Sequence, residues 1–284
     1  NLLLLLIDTS GKKQPFGFEI RKIHCHSVQT LPRLTMPFPT QQRTSGQERG
    51  RRAEDVASWF FRLNGFLAIP GFIVHLDSAS SHQGEDGEPR IARTEADLMA
   101  VRFPFSREVV GSREMRDAQE LTRLQSGDNE RKPLFVLVEV KASLCKMNGP
   151  WTNQQAANMQ RVLRRLGFTR DERIIHSAAA ALYEHARWEG GSVLVQYICV
   201  GGQKSSELAT MYDQLIQIDW RQIGEFMFER FSSHPEKTPS GLVHDQWPKF
   251  GREFGRWFVG GGKQRGQMEA GRAVERYVRD GRLQ

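Results

Sequence analysis

Long apolar runs are missing from this 284-residue sequence; the leading one, Leu2 to Ile7, is six residues. Six residues cannot span a bilayer, and no basic residues precede the run as they do in a signal peptide. No membrane partner is therefore expected. Cysteine is scarce as well: Cys25, Cys145 and Cys199 are far apart and odd in number. That excludes a disulfide framework and points to a reducing cytoplasm. Cys145 and Cys199 lie in or beside apolar stretches, where a buried thiol is the default. No internal repeat, Ser-His-Asp arrangement or nucleophilic-cysteine context stands out. Gly260-Gly261-Gly262-Lys263 lacks the spacing and the Ser/Thr of a phosphate-binding loop and reads as a flexible joint. His24-Cys25-His26 has no distant partner at metal-ligand spacing.

The composition that remains, 39% hydrophobic and 26% charged, is that of a globular protein. The length suits one core of ordinary domain size with appendages, or two small domains. The net charge of +7 is unevenly spread. Residues 1–50 hold 7 basic and 3 acidic side chains and residues 249–284 hold 9 and 4, so the ends carry +4 and +5 and the middle −2. Charge alone thus gives the middle little claim on a polyanion. The chain does not begin with methionine, and Met36 stands just before a change in character. Residues 1–47 read as a leader or poorly ordered segment, 48–232 as the main domain, and 233–284 as a basic Gly/Arg-rich extension.

Apolar spacing predicts a helix over 47–64, stopped by Asn64-Gly65. Strands are expected at 72–76, where Pro70-Gly71 delays the start, and at 96–103. Residues 78–90 read as a loop, and 104–133 as a charged excursion with a helix around 113–124. Residues 134–142 (LFVLVEVKA) are the clearest strand, apolar enough for burial on both faces. Helices follow at about 152–166 and 171–187, then a strand at 192–200 and a helix at 216–231. This is a mixed α/β domain.

Within LFVLVEVKA, side-chain alternation puts Glu139 and Lys141 on one face and Val138 and Val140 on the other. Buried charges need partners, so either the strand surfaces here or the pair serves a site. Asp97, at the head of an apolar strand, can meet Glu139 if the two strands pair; a turn-capping aspartate is the alternative. Glu54 borders the apolar stripe of the opening helix and faces either a cleft or solvent.

The order of these elements resembles the PD-(D/E)XK, restriction-endonuclease-like nuclease superfamily: helical Glu54, then Glu95-Ala96-Asp97, then Glu139-Val140-Lys141, then a helix with basic residues. The motif style is similar to that of Mrr-like nucleases and Holliday-junction resolvase relatives. Ala96 stands where the family name has proline, and 42 residues separate Asp97 from Glu139. The resemblance implies a mixed β-sheet flanked by helices, an αβββαβ core with the charged insertion between its second and third strands. It also implies a metal-dependent nuclease acting on DNA, with Asp97, Glu139, the Val140 carbonyl and Glu54 holding Mg2+ and Mn2+ able to substitute. Such chemistry suits oxygen ligands, since a hard cation polarises phosphate and acidifies water. Lys141 would orient the attacking water or offset charge, because two adjacent carboxylates oppose the pKa depression a lysine base needs.

Arg161, Arg164 and Arg165 are spaced to form a basic helical face for phosphates, with Gln160 a further contact. The alternative is a solvated face. Two-strand cleavage by such nucleases often implies a homodimer. A catalytically inactive nucleic-acid-binding module of the same fold is the competing function. The Arg- and Gly-bearing tail reads either as a DNA-gripping extension or as a helical appendage, and the pattern of Phe250, Phe254, Trp257 and Phe258 favours packing onto the main body for that part.

Overall fold

The first described helix, α1 (Ser45–Leu63), buries Ala53, Val56, Ala57, Phe60 and, beyond the expected stripe, Trp59 and Phe61. The computed structural model describes residues 45–75, 93–234, 247–261 and 265–283. The expectations for residues 1–44, Leu76, the 78–90 loop, the His24-Cys25-His26 stretch and Gly262-Lys263 lie outside them. Asn64 ends α1 by donating Nδ2 to the Phe60 carbonyl at 2.8 Å, and Gly65 takes the left-handed conformation at φ +76°.

Strand β1 (Leu67–His75) pairs antiparallel with β2 (Arg93–Arg102). It runs through Pro70-Gly71 instead of starting at Phe72. As the edge strand it tolerates the N–H that Pro70 lacks. The excursion at 103–133 lies between the second and third strands of the main sheet. It contains a small hairpin, β3 (Val109–Val110) with β4 (Arg113–Glu114), and a one-turn helix, α2 (Gln119–Thr122). The longer helix expected around 113–124 does not form. Asp117, four residues from Arg113, turns inward to Arg102 and Arg230, and the Asn64 Oδ1 takes the Ala118 N–H at 2.6 Å. Tertiary ties replace a helical turn.

Strand β5 (Leu134–Val140) is buried almost throughout. After it comes α3 (Gly149–Thr152), and the helix expected at 152–166 is α-helical only as α4 (Asn158–Leu166): residues 154–156 form a 3-10 turn that left-handed Ala157, at φ +52°, separates from α4. Helix α5 (Glu172–His185) stops two residues early at left-handed Ala186, and β6 (Arg187–Glu189) begins at once. Strand β7 (Leu194–Gly201) precedes α6 (Ser206–Met211), which the apolar pattern did not suggest. Residues expected to open a helix at Ile216 form β8 (Ile216–Asp219) instead. Helix α7 (Trp220–Ser233) starts behind a capping box in which Asp219 and Gln222 satisfy each other's main-chain N–H. Helices α8 (Lys249–Gly261) and α9 (Gln267–Asp280) follow.

The sheet order is β1-β2-β5-β7-β6, with β8 also on β7; β5 and β8 are parallel to β7 and the other pairs antiparallel. The protein is thus α/β, a mixed sheet between helical layers. Leu98, Val136 and Val138 share one cluster with Phe60, Ile223, Phe250 and Val274. Met99, Leu137 and Tyr197 share the other with Met159, Ile175 and Leu182. Each such fully buried side chain contributes about 1.5–3 kcal/mol. The tail aromatics Phe250 and Phe254 pack on Trp59, as their spacing suggested. Among the described residues no helix is long and apolar enough to cross a membrane.

Candidate active site

The β2–β5 ladder sets the site. Its described register ends at Leu98 opposite Val138, and one further step places Asp97 across from Glu139. Opposed residues of an antiparallel pair share a face. Here it is the face of Met99 and Leu137, beneath α4 and α5. Asp97 Oδ2 accepts the Val140 N–H at 2.7 Å, which locks the two strand ends together. Lys141 donates its main-chain N–H to the Val200 carbonyl at 2.8 Å. Its Nζ bonds Glu139 Oε1 and stands 3.6 Å from Asp97 Oδ2. The sequence-predicted trio is therefore one cluster.

Glu139 is 3% exposed, and its Oε2 is buried without a protein partner. Burial, then the neighbouring Asp97, pushes its carboxyl up to about 7, with Lys141 and Asn148 pulling the other way. Glu54 reaches the same field from α1. Burial first, then Asp97, Glu95 and Asp55, raise it to about 7 against the pull of Lys141. Burial alone would lower Lys141, but Glu139 and Asp97 outweigh it and hold the ammonium above its ordinary value. One ammonium thus faces more carboxylate than it neutralises, the condition under which a site draws a cation or a proton. Among the described residues no three or more His, Cys, Asp or Glu side chains form a ready cage for a metal. The oxygen donors at the centre are the Asp97 and Glu139 carboxylates, with the Val140 main chain between Glu139 and Lys141.

Three features of the site were not read from the sequence. Asn148 hydrogen-bonds the Glu139 carboxylate, donates Nδ2 to the Glu95 carbonyl at 3.3 Å, and gives its N–H to the Tyr197 hydroxyl at 3.2 Å. Asn148-Gly149-Pro150 announces a turn, but nothing local tells that its amide reaches back to the strand. Tyr197 is fully buried against Trp151, ring centroids 5.5 Å apart. Gly71 stands between Pro70, opposite Leu98, and Phe72, opposite Ala96, so its place on β1 faces Asp97. At φ +62°, with an added Cβ only 3.1 Å from Glu95 Oε1, it notches the sheet edge beside the site.

The expected basic face of α4 divides. Arg164 is held by Glu172 through three contacts of 2.7–3.2 Å, a surface pair that occupies its guanidinium. Arg165 lies 4.5 Å over the Phe72 ring, and Phe72 pairs with Ala96 beside Asp97, so this guanidinium borders the site. Arg161 is half-buried, and the half-buried Gln160 has its Oε1 enclosed without a partner. A cavity of about 1210 Å³ lies elsewhere, between the excursion and α7, lined by residues including Arg102, Asp117, Gln222 and Arg230. No protein-family model, curated protein or solved structure matches the chain.

Proposed function

We propose that the chain is a divalent-metal-dependent nuclease of restriction-endonuclease-like fold that hydrolyses phosphodiester bonds in DNA. The observation that carries this reading is the convergence of Asp97, Glu139 and Lys141 from two paired strands, with a buried, unpartnered oxygen on Glu139. Two carboxylates fit Mg2+, which takes few protein ligands and leaves the rest of its shell to phosphate and water. Asp97, Glu139 and the Val140 carbonyl would hold it, with Glu54 at the margin and Mn2+ able to replace it. A bound divalent cation supplies Lewis-acid polarisation of the phosphate and acidifies water.

The residues supply the rest. Lys141 stays protonated at neutral pH, so it orients and compensates anionic oxygens and is not the base. Asp97, anchored on the Val140 N–H, keeps the strand ends in register. Glu54 and Glu139 both titrate near 7, but only Glu54 is partly open to solvent, which suits it to take up and return a proton. Arg165, and Arg161 beyond it, would meet phosphates without reading sequence. Free, buried Cys145 and Cys199 accord with a reducing cytoplasm.

The test is cleavage of plasmid and linear DNA with Mg2+, Mn2+ or chelator. Asp97→Ala and Lys141→Ala should each lower the rate by about 10³-fold, equivalent to ~4 kcal/mol. Equal inactivity of wild type and Asp97→Ala on all DNA forms sinks the reading. Tight DNA binding without metal uptake would favour the inactive binding module.

A further inference from the structure

On α4, where cations were expected to face a polyanion, Glu172 occupies Arg164. A second set of cations stands where three segments far apart in the chain meet. Arg52 of α1 donates Nε to the Val278 carbonyl at 3.1 Å and Nη2 to the Arg279 carbonyl at 2.9 Å, which fastens the first half of α1 to the end of α9. Its guanidinium also closes on Gly281, where an added Cβ would lie 3.5 Å away. Trp59, further along α1, holds α8 through Phe250 and Phe254. Between α8 and the end of α9 lies a hollow of about 320 Å³, lined by Glu253, Arg256, Trp257, Gly281, Arg282 and Leu283.

Residues 45–55, 249–256 and 277–283 together carry eight basic and five acidic side chains. The acids are already engaged. Glu48 lies 4.0 Å from Arg52, Glu253 3.8 Å from Lys249 and Asp280 3.0 Å from Arg279. Half-buried Asp55 lies in the field of Arg51 and Lys249, and Glu54 belongs to the candidate site. Arg252 donates to the Trp247 carbonyl at 2.7 Å. What remains is exposed Arg49, Arg51, Arg256 and Arg282, and among the described residues none of these four enters an ion pair.

We infer that this junction of α1, α8 and α9 is a phosphate-binding surface that grips the DNA backbone beyond the point of cleavage. Its position relative to the site carries the inference. Arg51 stands three residues before Glu54, one turn away on the same side of α1. Arg49 stands one turn before Arg52, which reaches Gly281 at the hollow that Arg256 and Arg282 line. A polyanion leaving the site past Glu54 therefore meets cations along a path and not at one point. Guanidinium groups take phosphate oxygens in pairs and read no base. Four unpaired arginines suit about four phosphates, which would add about −3.6 to the slope of log affinity against log salt. The substrate that follows is DNA long enough to run past the site, held by its backbone and not by its sequence.

The surface rests on the reading of the site as one that takes DNA, but not on its cutting DNA, so the test is binding in chelator. Fluorescence anisotropy of the full chain with a labelled duplex of about 30 base pairs, titrated at several salt concentrations, gives the slope. Replacing Arg49, Arg51, Arg256 and Arg282 together by Gln should lower its magnitude by about 3–4 and weaken binding at least about tenfold, with circular dichroism unchanged. Should that variant not fold, Arg49→Gln with Arg51→Gln and Arg256→Gln with Arg282→Gln should each remove about half of the effect. Arg164→Gln, on the surface pair of α4, should leave the slope as it is. A protein that binds through these arginines and never cuts keeps the surface and loses the nuclease reading. A wild type that does not bind the duplex, or a slope untouched in the folded variants, overturns the proposal.

Discussion

Asn148 ties three parts of the site through one side chain and one N–H: Glu139, the Glu95 carbonyl and Tyr197. Groups that hold a ligand carboxylate in place typically matter 10–100-fold for metal affinity or activity. If Glu139 holds the proposed cation, Asn148→Ala should lower Mn2+ affinity by about 10–100-fold in calorimetry; unchanged affinity would show that Glu139 needs no such brace. Glu139 also leads to a pH prediction. Its folded-state carboxyl sits near 7 against an ordinary 4.5, so the folded protein holds that proton more tightly than the unfolded chain. Below about 4.5 both states are protonated and nothing is lost. Between about 4.5 and 7 the unfolded chain ionises first, and the metal-free protein loses stability until the folded carboxyl has also ionised. Melting in chelator should show Tm falling from pH 5 to 8, less steeply in Glu139→Gln. Parallel slopes in the two proteins would exclude Glu139 as the source.

At the level of elements, β5 was readable because burial on both faces leaves an uninterrupted apolar run, and Glu139 and Lys141 break it where the ladder ends. The division of 216–231 into β8 and α7 was less visible, since Ile216 and Ile218, spaced two apart as in a strand, run directly into the longer helical pattern from Trp220. The Asp219–Gln222 capping box was the local sign of where the helix starts. The break at Ala157 has no such sign, because neither Gly nor Pro marks the left-handed residue. Helices α7 and α9 meet backbone to backbone at Gly224 and Gly271. A Cβ on Gly224 would come within 2.5 Å of the Ala270 carbonyl oxygen and 2.7 Å of the Gly271 Cα. Main chain cannot swing aside as a flexible side chain can. Gly224→Val should therefore destabilise by about 2–3 kcal/mol, and lower Tm by roughly 5–10 °C for a chain of this size. A melt equal to wild type would mean that the helices do not pack this closely.

For the whole molecule, the C-terminal helices belong to the core that backs the sheet. Phe250, Phe254, Val274 and Tyr277 are buried with Trp59 of α1 and Phe231 of α7. Ending the chain after residue 246 removes several contributions of about 1.5–3 kcal/mol each, against a typical stability of 5–15 kcal/mol. The truncated protein should show no cooperative thermal transition, and a folded, soluble truncation would show that the tail is dispensable. What the sequence by itself determined is local: where apolar periodicity places strands and helices, and that Glu139 and Lys141 share one side of a strand. Those follow from the 2.0 and 3.6 repeats, which need no knowledge of distant residues. Tertiary structure alone decided that Asp97 lies opposite Glu139, that Glu54 enters their field, that Arg164 is occupied by Glu172, and that Asn148 reaches back to the site. Each of these depends on register or packing between segments far apart in the chain, and strand alternation constrains neither.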